Sequence, residues 1–164
     1  MSVLFTGTFQ HGIDEKGRII IPMKLRDAVQ EERDGAGFYM TRGLDGCIFL
    51  YTPRDFEALR HRVQGEPGTV MDKEHRNLER MLYSNAIRGQ CDRQGRIVIP
   101  DYLKEHAKIQ KDVIITGVGQ RIEVWAKERW DALMEQVTRT FEEDAQGFYD
   151  KERPQARGAT APTP

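Results

Sequence analysis

The chain has 164 residues, with 25 lysines and arginines against 26 aspartates and glutamates and a formal net charge of -1 at pH 7. This balance excludes a chain that binds polyanions through overall basicity, so any nucleic-acid contact must come from local patches. No apolar run approaches the ~18 residues of a membrane span and MSVLFTGTF lacks the pattern of a secretory signal, so we expect a soluble cytoplasmic protein with no membrane partner.

The first predicted elements are two strands joined by a tight turn. A strand runs up to Ile13, and in DEKG, residues 14–17, Gly17 supplies the positive φ that a short hairpin loop commonly needs. The β-branched run Ile19–Ile21 is the predicted returning strand. Pro22 ends that strand and suits the first position of a short helix through MKLRDAV.

A second hairpin and a longer helix follow. GFYMT and CIFLY are the predicted strands around RGLDG, and the polar stretch QEERDGAG before them indicates a loop. A helix is predicted from Pro53 to Val63, with Thr52 as its N-cap and Asp55 three residues later, as in a capping box. QGEPG then indicates a linker, and residues 72–86 have the apolar spacing of a connecting helix.

The second half repeats this order. DRQGRIVIP, residues 92–100, carries the acid, the Gly-Arg pair, the apolar run and the proline of DEKGRIIIP, residues 14–22. Further on, GVGQRIEVWAKERWDAL aligns with GLDGCIFLYTPRDFEAL, so DVIIT and IEVWA form the second hairpin and DYLKEHA the short helix. Halves of roughly 70 residues bury little apolar surface alone, so we expect them to pack against each other or against other subunits.

The last predicted helix begins near Lys127 and extends to Asp144. Five large residues recur on one of its faces, which is typical of a core or subunit contact: Trp130, Leu133, Met134, Val137 and Phe141. After Asp150 the chain has almost no large apolar residue, which predicts a disordered tail. The predicted division of the chain is a first repeat (1–64), a linker and connecting helix (65–86), a second repeat with the C-terminal helix (87–144) and the tail (145–164).

The two Asp-x-x-Gly-Arg motifs with their trailing prolines, together with TRGLDGCIFLY and GVGQRIEVW, resemble the MraZ family of bacterial transcriptional regulators. The resemblance covers about residues 3 to 140. It implies an α+β fold, mainly β, in which two tandem AbrB-like swapped-hairpin β-barrel repeats form one pseudo-symmetric unit with connecting and C-terminal helices. It also implies that several chains assemble into a ring-shaped homo-oligomer.

The function implied by the resemblance is sequence-specific binding of double-stranded DNA. Members of the family bind direct repeats in the promoter of their own operon, the division and cell-wall gene cluster, and usually repress it. They are associated with the nucleoid. The resemblance therefore implies a cytoplasmic, nucleoid-associated regulator.

The resemblance places the DNA contacts on the two turns, at Lys16 and Arg18 in the first and at Arg93 and Arg96 in the second. Because an arginine fork fits a phosphate or the edge of guanine, Arg18 and Arg96 are predicted to enter a groove, while Lys16 and Arg93 meet phosphates. Lys16 is matched by Gln94, so the two turns differ in charge. Three further cations are predicted to extend the basic surface: Lys24, Arg26 and Arg88.

Two alternatives stay open at this point. Asp14 and Arg18, like Asp92 and Arg96, can simply form exposed ion pairs across their own turns, with each acid accepting backbone N–H groups. The chain can also be a structural or scaffolding homo-oligomer without DNA binding, which an apolar last helix would serve equally well.

The sequence does not predict an enzyme. No motif places any of the 4 histidines beside a nucleophile, and there is no Gly-rich phosphate loop. The two cysteines, Cys47 and Cys91, are far apart in the chain and do not sit with histidines at zinc-ligand spacing. We therefore expect no cofactor, no metal and no small-molecule substrate.

Overall fold

The computed structural model describes residues 2–65 and 72–152, and the secondary structure of these ranges follows the predicted order. The elements of the first half are β1 (Thr8–Gly12), β2 (Arg18–Ile20), α1 (Met23–Asp27), α2 (Glu31–Asp34), β3 (Phe38–Arg42), β4 (Ile48–Tyr51) and α3 (Pro53–Gln64). Those that follow are α4 (Lys73–Ser84), β5 (Ile87–Gly89), β6 (Arg96–Val98), α5 (Asp101–Ala107), β7 (Asp112–Val118), β8 (Arg121–Ala126) and α6 (Lys127–Glu152). None of the helices in these ranges combines the length and the apolar character needed to cross a bilayer.

The two halves exchange strands. The large sheet has the order β1-β7-β8-β4-β3-β5, and a separate two-stranded ribbon pairs β2 with β6. Every one of these pairings is antiparallel. Although the turn between β1 and β2 is tight, its two strands pair with β7 and β6 of the other half and not with each other. The predicted simple hairpin is therefore wrong at this point, and the swapped-hairpin α+β fold is confirmed.

A pseudo-twofold axis relates the two halves. Ile19 pairs with Ile97 at the centre of the ribbon, and Phe49 pairs with Glu123 in the large sheet. In the alignment of the two halves, the members of each pair occupy equivalent positions. Because equivalent residues face each other only on a symmetry axis, the axis passes through both sheets, and the two turns are related by it.

The hydrophobic core lies between the ribbon and the large sheet. Ile19 and Ile97 of the ribbon are 0% and 1% exposed, and they belong to one cluster with Met40 and Leu50 of the large sheet. On the opposite face of that sheet, the ring of Tyr39 stacks on Phe56 of α3 at 4.4 Å between ring centroids. Since strand side chains alternate between faces, α3 and the ribbon lie on opposite sides of the large sheet.

The cap and the connecting helix are confirmed. Thr52 Oγ1 accepts a hydrogen bond from the backbone N–H of Asp55 at 3.1 Å, and α4 lies within the predicted residues 72–86. The loop prediction for QEERDGAG is wrong in part, because α2 forms there. The Asp34 carboxylate, 1% exposed, accepts from the backbone N–H of Gln30 at 2.9 Å and from the guanidinium of Arg33 at 2.7 Å, which holds this short turn of helix together.

The final helix continues to Glu152, past the predicted end at Asp144. The chain divides into two compact units, Met1–Trp130 and Asp131–Pro164, so most of α6 forms part of the second unit. The predicted disordered tail begins within this helix, and residues 153–164 lie outside the described residues.

Candidate nucleic-acid interface

The two Asp-x-x-Gly-Arg motifs form turns with the same backbone geometry. In the first, the carbonyl of Asp14 accepts from the N–H of Gly17 at 3.0 Å, and the N–H of Asp14 donates to the carbonyl of Arg18 at 3.0 Å. The second turn repeats both bonds at 2.9 Å around Asp92. Gly17 and Gly95 have φ values of 73° and 80°, a conformation that L side chains rarely adopt, so the predicted role of the glycines is confirmed.

The acid of each turn organises the backbone. Asp14 Oδ1 accepts from the backbone N–H groups of Lys16 and Arg18, both at 2.9 Å, while Oδ2 accepts from Arg18 Nε at 2.7 Å. Asp92 makes the same three contacts with Gln94 and Arg96 at the same distances. The predicted backbone role of the acids is confirmed, and the ion pair across each turn is present.

These hydrogen bonds lower the pKa of both carboxyl groups. The backbone N–H of Arg18 is the main cause that holds the pKa of Asp14 below its ordinary value of 3.8, and the N–H of Arg96 does the same for the pKa of Asp92. A carboxyl group whose pKa is lower in the folded state stabilises the fold above its ordinary pKa. That stabilisation is lost as the pH falls through the lower, folded pKa.

We therefore expect both turns to stay ordered at pH 5 and to loosen only at pH values below the ordinary carboxyl pKa of 3.8. An NMR titration that follows the carboxyl carbons of Asp14 and Asp92, with the amides of Lys16 and Gln94, measures this directly. Asp14→Asn is the control, because its first turn has no carboxyl group to titrate. A titration midpoint at or above 3.8 for both acids would contradict the hydrogen-bond geometry.

Each turn is fixed to the other half of the chain. The carbonyl of Gly17 accepts from the N–H of Ile99 at 2.8 Å, and the carbonyl of Gly95 accepts from the N–H of Ile21 at 2.9 Å. These bonds continue the ribbon at both of its ends. The turns therefore flank the ribbon, about 13 Å apart at the ordinary rise per strand residue, and they are held as one rigid pair.

The four predicted contact residues lie on this turn and ribbon surface. Lys16 and Arg93 are exposed at the two tips, while 25% and 32% of the side chains of Arg18 and Arg96 are exposed. Within the described part of the chain, the guanidinium of Arg18 is hydrogen-bonded through its Nε only. The guanidinium of Arg96 is bonded through its Nε and also through Nη2, which donates to Gln94 Oε1 at 3.3 Å. The sequence difference between Lys16 and Gln94 thus changes how each arginine is held.

Of the three further cations, Arg26 lies at a turn. Arg26 Nε donates to the carbonyl of Ile21 at 2.9 Å, and a Cβ added to Gly95 would lie 2.6 Å from its guanidinium. The side chain of Arg26, which belongs to the first half, therefore covers the turn of the second half.

Lys24 and Arg88 lie elsewhere. The Nζ of Lys24 lies beside Gly7, and Arg88 Nη2 donates to the carbonyl of Ala36 at 2.7 Å. Within residues 2–65 and 72–152, neither side chain has a hydrogen bond or an ion pair to a turn.

Sequence analysis missed one cation at this surface, Lys104. A Cβ on Gly17 would lie 3.2 Å from Lys104 Nζ, which is also ion-paired with Asp101 at 2.7 Å. Lys104 is the pseudo-symmetric equivalent of Arg26, so it covers the first turn as Arg26 covers the second. The alignment of the two halves pairs these residues, and that pairing was the signal that identifies Lys104.

Gly95→Ala is expected to destabilise the fold. An L residue in the left-handed backbone conformation costs ~1–2 kcal/mol, and the loss should be larger here because the new Cβ would also clash with the side chain of Arg26. Gly119→Ala is the matched control: Gly119 has a φ of 70°, but its added Cβ has no neighbour within 4 Å. Urea denaturation of both variants measures the difference. Equal losses would show that Arg26 does not pack on the turn.

The duplicated swapped hairpins, with an arginine-bearing turn in each half, define a fold of the AbrB-like class. The family model described as "MraZ protein, putative antitoxin-like" matches residues 4–80 and 82–150. The chain is 39% identical over 147 residues to "Transcriptional regulator MraZ" of Heliobacterium modesticaldum, which covers 90% of this chain and 98% of that protein. The protein of the same name from Lactobacillus delbrueckii subsp. bulgaricus is 40% identical over 149 residues, covering 91% and 99%. The chain belongs to the MraZ family of transcriptional regulators.

Proposed function

We propose that the chain is a sequence-specific DNA-binding regulator that binds direct repeats in the promoter of its own operon, the division and cell-wall gene cluster, and usually represses it. The observation that carries the proposal is the pair of equivalent arginine turns locked to the two ends of one ribbon. A two-stranded ribbon fits the major groove of B-DNA, so this surface matches the ligand in shape as well as in charge.

The arginines are oriented for this task by their own turns. Arg18 and Arg96 lie on the outer face of the ribbon, because Ile19 and Ile97, the next residues along, point into the core. Among the described residues, the Asp14 carboxylate bonds the Arg18 guanidinium at Nε, which leaves the terminal amino groups for a base edge or a phosphate. In this proposal the ion pair across the turn serves to position the arginine.

The other cations contribute charge around this centre. Lys16 and Arg93, at the exposed tips, contact phosphates and set the position of the protein on the duplex. Arg26 and Lys104 extend the basic surface over the turns. Lys24 and Arg88 belong to the wider phosphate-facing surface in this proposal, with smaller effects, because their side chains make contacts away from both turns.

Affinity then depends on self-association. A few cationic contacts per chain bind DNA weakly at physiological salt, whereas linked copies on a repeated operator raise the effective concentration of each turn. α6 offers a surface for assembly, since none of its residues is buried and Phe141 is 63% exposed. We propose a ring-shaped homo-oligomer, with α3 and α6 mostly serving packing and subunit contact.

The proposal includes no catalytic step and no cofactor. It places the protein in the cytoplasm, associated with the nucleoid. The competing function is a scaffold that assembles through α6 without DNA, and the binding experiment below separates the two.

The test is an electrophoretic mobility-shift series on the DNA upstream of the gene, with one, two and three copies of the repeat and with increasing salt. We expect affinity to rise steeply with repeat number and to fall with salt as several phosphate contacts are lost. A duplex of the same length with shuffled repeats is the control. No retardation of repeat DNA at about 50 mM salt by a chain that still assembles would overturn the proposal and favour the scaffold.

A further inference from the structure

The outer face of the ribbon carries two exposed apolar side chains between its arginines. Ile20 and Val98 are 41% and 55% exposed, although their neighbours in both strands are buried. The register places Arg18 opposite Val98 and Arg96 opposite Ile20. The four side chains therefore form a two-by-two array in which the apolar groups lie on one diagonal and the arginines on the other, so each apolar group has a cation directly across the ribbon.

We propose that Ile20 and Val98 recognise thymine, by packing on the 5-methyl groups of thymines that lie in the major groove beside the bases and phosphates held by Arg18 and Arg96. This inference rests on the proposed DNA-binding function and adds base specificity to it. The thymine methyl is the apolar group of the major groove, and direct contact with it is one of the ways in which proteins distinguish bases.

The position of the two residues favours this partner over solvent. Ile20 and Val98 are equivalent in the two halves, so the pseudo-twofold axis brings them together into one patch instead of scattering them. A phosphate offers nothing to an apolar side chain, so two apolar groups that alternate with arginines do not fit a purely electrostatic contact. They fit a groove floor that has both apolar and acceptor groups.

The arginines on both sides favour DNA over another protein subunit. Each turn carries an exposed cation at its tip, and the carboxylates of Asp14 and Asp92 are already bonded to their own turns. The first tip also carries the exposed Glu15, so it is less basic than the second. The outer face of the ribbon thus alternates apolar and cationic side chains, with a further cation at the tip of each turn. A polyanion with methyl groups on its groove floor is complementary to both parts of this pattern.

The experiment compares binding of the full chain to two versions of the repeat DNA, one with thymine and one with deoxyuridine, which lacks only the 5-methyl group. We expect the wild type to bind the deoxyuridine duplex about fourfold more weakly for each methyl contacted. Ile20→Ala combined with Val98→Ala is expected to bind the two duplexes equally and to keep its assembly mass and its affinity for shuffled DNA.

Leu44→Ala is the matched control, because Leu44 is 72% exposed on the loop between β3 and β4 and should not alter the discrimination. A wild type that binds thymine and deoxyuridine DNA equally would overturn the inference while leaving the proposed function intact. A double variant whose assembly mass changes would overturn it as well, since the patch would then be a subunit contact. If the wild type fails to bind even thymine DNA, the proposed function itself fails.

Discussion

Replacing both Arg18 and Arg96 by alanine is expected to abolish retardation of the repeat DNA at physiological salt. Each arginine contact of this kind is worth about 1–3 kcal/mol, and the loss is repeated in every subunit that binds the operator. The ion pairs with Asp14 and Asp92 are exposed to solvent, so removing them should change the free energy of unfolding only slightly. Fluorescence anisotropy with labelled operator and thermal denaturation measure the two effects separately.

Arg60→Ala is the matched control for this variant. Arg60 bonds Glu57 through its Nε at 3.0 Å, so it is an ion-paired arginine of the same kind, but it lies in α3 on the other side of the large sheet. Its removal should leave operator binding unchanged. Arg18→Lys should keep part of the affinity, because lysine attracts a phosphate but lacks the planar fork. If the Arg18 and Arg96 double variant bound the operator as tightly as the wild type, the turns would not be part of the interface.

The largest effect on stability is expected for Ile19→Ala, with a loss of about 2–5 kcal/mol in the free energy of unfolding. Ile19 is 0% exposed and pairs with Ile97 on the pseudo-twofold axis, so truncation leaves a cavity where the ribbon meets the large sheet. Because the ribbon carries both turns, we expect operator binding to fall together with stability. Urea denaturation followed by circular dichroism gives the value.

Ile20→Ala is the internal control for Ile19→Ala. The two residues are neighbours of the same type, but Ile20 is 41% exposed, so its truncation should change stability by no more than about 0.5 kcal/mol. Similar losses in the two variants would show that the ribbon does not present Ile19 to the core and Ile20 outward.

The sequence predicted most of the strands, turns and helices because short-range sequence patterns specify them. The β-branched run Ile19–Ile21, the positive-φ glycines of the turns and the Thr52 cap are all short-range features, and each is confirmed. The internal repeat then predicted which elements are equivalent. These features also placed the turn residues in the right local geometry.

The local sequence pattern does not specify which strands pair. A tight turn at Gly17 brings two strands close together, but it does not specify whether they pair with each other or with strands of the other half. Only the register, with Ile19 opposite Ile97, shows the exchange. The family resemblance supplied the swapped arrangement, and the residue pattern alone did not.

Two helical features were not predicted, α2 and the extension of α6. Both are stabilised by polar contacts, which apolar periodicity does not detect. α2 is held by the buried Asp34 carboxylate, which the charge pattern of QEERDGAG does not distinguish from a solvated acid. The part of α6 past Asp144 is stabilised by hydrogen bonds between side chains one helical turn apart. For example, Gln146 Nε2 donates to Asp150 Oδ1 at 2.8 Å. The predicted repeat limits, 1–64 and 87–144, stay a prediction.

Photo-cross-linking tests most directly whether the face formed by the ribbon and turns touches DNA. A benzophenone amino acid is placed at Lys16 or at Arg93, the two exposed tips, and at Glu57 in α3, on the other side of the large sheet. If the ribbon and turns face DNA, both tips will cross-link to repeat DNA and α3 will not. Cross-links from Glu57 with none from either tip would show that the ribbon and turns do not face DNA.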